Sequence, residues 1–204
     1  MGDFMTIINS LLLTLPVILV VIAVHEYAHA LVATLLGDPT PKQQGRLTLN
    51  PIDHIDPIGL IMLIFFRFGW ARPVPINPRY FREPRKGAAM VAAAGPLANF
   101  TFAFLLSLLT RYVTVYLGPL SLVFDNIIYY AVFINIALGV FNLIPIPPLD
   151  GAHILEYYLG PRHDATFEAM ERYGILLLIM ILWFPWTMHI LSWIVNFLYR
   201  LIYL

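Results

Sequence analysis

The sequence predicts an all-α integral membrane protein, a bundle of about four to six transmembrane helices with a small β or re-entrant element in the loop after the first helix. Three observations predict it. Hydrophobic residues make up 60% of the 204 positions and charged residues only 12%, against roughly 45–50% and about 25% in soluble domains. Several apolar stretches approach the roughly 20 residues needed to cross a bilayer. The basic residues gather in one loop: Lys42, Arg46, Arg67, Arg72, Arg79, Arg82, Arg85 and Lys86 are all but four of the twelve Lys and Arg.

The first span is expected over residues 7–36, with Pro16 as its natural kink. No cationic segment precedes it and its apolar run passes any small-residue cleavage site, so it reads as a retained span and not as a signal peptide. Residues 37–86 follow, rich in proline and turn residues. The positive-inside rule puts this loop in the cytoplasm of a plasma-membrane protein, with the N-terminus and the 112–119 connection outside and residues 161–172 inside. Within the loop, Gly45-Arg46-Leu47-Thr48-Leu49 alternates as a short strand would, and residues 58–66 are too few to span. A small sheet or re-entrant segment against the bundle is the expectation. Spans over 87–109 and 120–143 come next, the latter ended by Pro145, Pro147 and Pro148. A short segment over 150–159 and a polar loop lead to a last apolar stretch, 173–204, which Pro185 makes either one bent helix or two short ones. The whole, residues 1–204, reads as a single multi-pass domain with its motifs within about 20–155.

Composition narrows the chemistry. The formal net charge is zero, so nothing points to nucleic acid. With no cysteine, disulfides, thiolate metal sites and cysteine nucleophiles are all excluded. Any metal must be held by histidine and carboxylate.

One segment offers such a set. His25-Glu26-Tyr27-Ala28-His29 lies within the first span. The i, i+4 spacing puts both imidazoles on one helix face, where they can chelate one cation, with Glu26 beside them as a base toward water. Ionisable groups at membrane depth are costly to insert and are usually functional. A catalytic zinc site takes a third protein ligand. Asp150 is the leading candidate, because the prolines before it unwind the chain and Gly151 permits a close backbone approach. Other readings stay open on these residues alone. The histidines could be packed polar groups, Asp150 could cap the following helix, and buried His and Glu also serve transporters or non-proteolytic scaffolds. His54, in a carboxylate-bearing stretch, is an auxiliary ligand or a turn residue; His153 could orient Asp150; His163 and His189 are peripheral.

HEYAHA, Gly95-Pro96-Leu97-Ala98-Asn99 and Asn142-Leu143-Ile144-Pro145-Ile146-Pro147-Pro148-Leu149-Asp150-Gly151 together resemble the site-2 protease family of intramembrane metalloproteases. The loop from Gly45 to Pro57 looks like that of its compact members, and no PDZ-like insertion separates the motifs. The resemblance covers most of residues 20–155. It implies one Zn2+ per chain on His25, His29 and Asp150, with Glu26 as general base. It implies that Asn142 and Asn99 contact the substrate or steady the oxyanion; as amides in apolar surroundings, both are equally explained by interhelical hydrogen bonds. Substrates would be transmembrane proteins cut in or near their spans, as in regulated intramembrane proteolysis. Their peptide bonds are shielded by helical hydrogen bonding and must unwind first, and a strand near Leu47 could hold the unwound segment by strand addition. The donor set suits zinc without excluding iron or cobalt. With the basic loop inside, His25 and His29 fall in the cytoplasmic half of the first span.

Overall fold

A 34-residue helix, α1 (Gly2–Leu35), opens the computed structural model, which describes residues 2–66, 69–118 and 121–203. Arg67 of the basic loop, Pro119, Leu120 and Leu204 lie outside the described residues. Pro16 sits inside α1 without ending it. What ends it is Gly37, whose φ of 101° is open to glycine at little cost. There the amide of Gly37 donates to the Thr34 carbonyl (3.1 Å) and that of Asp38 to the Ala33 carbonyl (3.0 Å), which satisfies the last carbonyls of the helix.

The loop that follows is built of side-chain clamps. Asp38, fully buried, accepts the amide of Thr40 at 2.9 Å, at the start of the single turn α2 (Thr40–Gln43), and that of Asn77 at 2.6 Å. Arg46, also buried, donates to the carbonyl of Asp53. The expected strand over residues 45–49 does not form. Among the described residues there is no sheet, only one antiparallel bridge between Ile55 and Ala71. The physical reason is competition for backbone groups: the Thr48 carbonyl pairs with His54 Nε2 (2.9 Å), and the Thr48 hydroxyl takes the amide of Asn50 (3.0 Å). The chain then turns through Pro51–His54 as a 3-10 segment.

Asp56 caps α3 (Pro57–Phe66) by accepting the amide of Gly59 at 2.8 Å, with Pro57 at the first helical position. Ten residues rise only about 15 Å, half of a hydrocarbon core of about 30 Å. Gly59 lets the chain fold back, since a Cβ there would collide with the Trp70 carbonyl.

The second long helix, α4 (Pro84–Leu117), exceeds the expected 87–109 at both ends. Its buried face carries Gly87, Ala89, Ala92, Gly95 and Asn99. Small residues there let the backbone approach α1 and its neighbours closely. Next, α5 (Leu122–Asn142) buries Val132, Asn135, Ile136 and Gly139. After the proline turn, α6 (Asp150–Leu159) begins against the end of α5, because Gly151 has no Cβ to strike the Leu143 carbonyl. The last stretch resolves into two helices, α7 (Asp164–Trp183) and α8 (Pro185–Ile202), bent by 85° at their junction. Val195 of α8 packs with Ala103, Val132, Ile136 and Val140 in the largest buried cluster.

Among the described residues, three helices are long and apolar enough to cross a membrane, or four if the bent pair is one span, short of the upper part of the expected four to six. Leu105, Leu108, Leu109 and Val115 on α4 and Ile175, Leu176 and Ile179 on α7 are exposed. In water such a surface drives aggregation; in hydrocarbon it meets its solvent. The protein is a multi-pass integral membrane protein.

Candidate metal centre

Three helices, α1, α4 and α6, meet around His25 and His29, which lie one turn apart on α1. Their Nε2 atoms are 3.0 Å apart and the rings meet edge to face. Asp150, the first residue of α6, brings Oδ2 to 3.2 Å from Nε2 of His25 and 3.5 Å from Nε2 of His29. Both histidines are buried, and the start of α6 presents its positive end to the carboxylate. Gly95 of α4 forms the wall opposite.

The hydrogen bonds behind the rings determine what the facing atoms can do. Nδ1 of His29 lies 2.7 Å from the carbonyl of Val91, which can only accept, so Nδ1 carries the proton. Nδ1 of His25 lies 2.6 Å from Oδ1 of Asn99 and donates to it. In their neutral form, imidazoles so held turn bare Nε2 lone pairs toward each other and toward the Asp150 carboxylate. In that form the contact between the two Nε2 atoms has no proton to share. Asp150 Oδ2 is buried without a hydrogen-bond partner. Three converging acceptors repel unless a cation lies among them, and all three ligand atoms fall within 4.8 Å of one another. Two imidazoles and one carboxylate are the donor set of a catalytic zinc site, so the residues fit the metal.

Glu26, half-buried, accepts the amide of Val74 at 3.1 Å. This ties the extended chain after Trp70 to α1 beside the histidines. Burial foremost, then the neighbouring charge of Arg72, lowers the pKa of the Arg46 guanidinium from its usual value, while Glu26 and Asp53 oppose this. Glu26 thus sits in the field of a buried cation.

The other sequence candidates separate. Asn99 is fully buried and faces His25 Nδ1 from behind the ring. Asn142, at the C-terminal end of α5, sends its amide back along its own helix to the Leu138 carbonyl (3.0 Å). His54 is buried away from the cluster and donates to Thr48. His153 is exposed and 3.5 Å from Glu156 on its own helix, and His163 bonds the Leu159 carbonyl. One residue escaped the sequence reading altogether: Asn135 of α5, fully buried, whose Oδ1 accepts from Nδ2 of Asn99 at 2.9 Å. Its signal was an amide inside an apolar span, two turns before Asn142.

The family model described as Peptidase family M50 matches residues 117–184, which include Asp150. The chain is 40% identical over 183 residues to YwhC of Bacillus subtilis, named as a zinc metalloprotease, covering 88% of this chain and 84% of that one. It is 31% identical over 206 residues to Rip2 of Mycolicibacterium smegmatis, named likewise, covering 96% of this chain and 75% of the relative. Rip2 of Mycobacterium tuberculosis is 28% identical over 188 residues, covering 87% and 71%. No solved structure matches.

Proposed function

The chain belongs to peptidase family M50, the site-2 protease family without a PDZ domain, and from that premise we propose that this zinc metalloprotease cuts transmembrane proteins in or near their membrane spans. The observation that carries the reading is the convergence of three potential ligand atoms, His25 Nε2, His29 Nε2 and Asp150 Oδ2, on one point beside a membrane-spanning helix. These residues hold the metal, and Glu26 is the general base. Zinc on such a donor set polarises a peptide carbonyl and makes water nucleophilic near neutral pH.

The chain's own groups do the rest. Glu26 takes a proton from the attacking water and returns it to the leaving amine, its carboxylate steadied by the Val74 amide. The helix packing around His25 and His29 excludes bulk water and strengthens the electrostatics within. One turn before His25, Ile22 helps line an apolar groove of about 480 Å³ that α1, α3, α5 and α8 enclose with Leu60, Trp70, Ala137, Phe141 and Leu191. Such a groove suits an apolar peptide segment that enters from the bilayer. Asn142, near the groove's Phe141, is proposed to contact that substrate. The protein acts in regulated intramembrane proteolysis at the plasma membrane, with the 37–86 loop cytoplasmic and cleavage nearer that face.

Purified full-length protein in proteoliposomes with a labelled single-span substrate tests this. Wild type should cut, a chelator should stop it, and Glu26→Gln should bind zinc normally while losing roughly 100-fold or more in rate. A Glu26→Gln variant that cuts at the wild-type rate sinks the mechanism.

A further inference from the structure

We infer that Asn135, acting through Asn99, is a positioning residue that holds His25 in the tautomer able to bind zinc. The inference rests on His25 being a zinc ligand, as proposed above. The direction of the relay follows from its far end. The Asn135 atom 2.8 Å from the carbonyl of Ala131 must be Nδ2, because a carbonyl only accepts. Asn135 Oδ1 then faces Asn99, so the Asn99 atom 2.9 Å away is its Nδ2, which is also 3.5 Å from the Val21 carbonyl. Asn99 Oδ1 is left for His25, 2.6 Å from Nδ1. An amide oxygen requires a proton on that nitrogen, which in the neutral ring leaves Nε2 bare.

Flipping Asn99 alone would set two amide oxygens against each other. Flipping both amides would press Asn135 Oδ1 on the Ala131 carbonyl. Asn99 and Asn135 are both fully buried, so water cannot relieve either mismatch. His29 needs no such device, since Nδ1 meets the backbone of α4 directly at Val91. At His25 two side chains do what a carbonyl does there. Partners behind a metal-binding imidazole generally set its tautomer and its basicity.

The test uses the full-length protein in nanodiscs with 15N-labelled histidine, metal-free, and His25 assigned through His25→Ala. Wild-type His25 should carry its proton on Nδ1, a readout that needs no variant of the relay. Asn135→Leu should move a measurable fraction to the Nε2–H form. Zinc affinity by chelator competition should fall roughly 10-fold in Asn135→Leu and roughly 10- to 100-fold in Asn99→Leu. Asn135→Asp, whose protonated carboxyl keeps an O–H toward the Ala131 carbonyl and an acceptor toward Asn99, should restore the tautomer. An Nε2–H tautomer in the wild type, or Asn135→Leu with wild-type tautomer and affinity, overturns the inference, even if the variant melts earlier. Undiminished zinc binding by His25→Ala would instead overturn the ligand reading beneath it.

Discussion

Gly95 faces His29 so closely that a Cβ built on it would lie 2.5 Å from Nε2 of His29, and 2.6 Å from Nε2 of His25. The wall of the candidate metal site is the absence of a side chain. A methyl group there must displace the imidazoles or the α4 backbone, and the imidazoles are pinned behind by Val91 and Asn99. Gly95→Ala should therefore lower zinc affinity by roughly 10-fold or more while leaving the helical circular dichroism unchanged. Titration against a competing chelator reads it, and wild-type affinity would show that α4 can retreat.

Glu26 and Val74 are 48 residues apart in sequence and share one hydrogen bond of 3.1 Å. A charged acceptor held by a backbone amide is oriented as well as stabilised. Val74→Pro removes that donor, in a segment where Pro73 and Pro75 already lack one. The rate of cleavage should fall roughly 10- to 100-fold through misplacement of the base, with zinc content unchanged. Loss of zinc in this variant would mean that the segment holds the metal site itself together.

The meeting of His25, His29 and Asp150 was legible because helix periodicity is local: spacing alone puts His25 and His29 on one face, and the prolines before Asp150 announce a break in helix α5 at the right place. The Pro185 break was equally visible, although its 85° angle was not. The strand over residues 45–49 failed because alternation records only a preference. Whether a strand forms depends on a partner, and here Thr48, Asn50 and His54 close the backbone locally. The ends of α4 were misjudged for another reason. Hydropathy marks where hydrocarbon is, whereas backbone hydrogen bonding continues past it into residues such as Arg85, Lys86 and Arg111. Asn99 was visible as a costly amide. Its partners on α1 and α5 were not, since pairing between helices has no trace in a single sequence.

Asp38 is a tether of the loop. Its two oxygens take the amides of Thr40 and Asn77, and no part of it reaches water. Asp38→Ala strands both donors, at about 1–3 kcal/mol each when buried. The thermal midpoint should drop, and amide exchange should rise at Val74 and Asn77 well before it rises along α4. Exchange that stays slow at Asn77 would show that its amide finds another acceptor.

The groove between α1, α3, α5 and α8 makes a prediction about substrate. Ala137 lines it, and its methyl leaves room that an indole would fill. Ala137→Trp should raise KM for a membrane-spanning substrate by roughly 10-fold, as a loss of binding shared by ground and transition states does, with kcat little changed. Zinc affinity should stay at the wild-type value, because no hydrogen bond of the metal site involves Ala137. A short soluble peptide has no apolar segment to seat in the groove, so its cleavage should be unaffected. Equal loss on both substrates would mean the indole perturbs the metal centre through α5, where Ala137 lies two residues after Asn135. No loss on either would move the seat of the substrate to another face of the bundle.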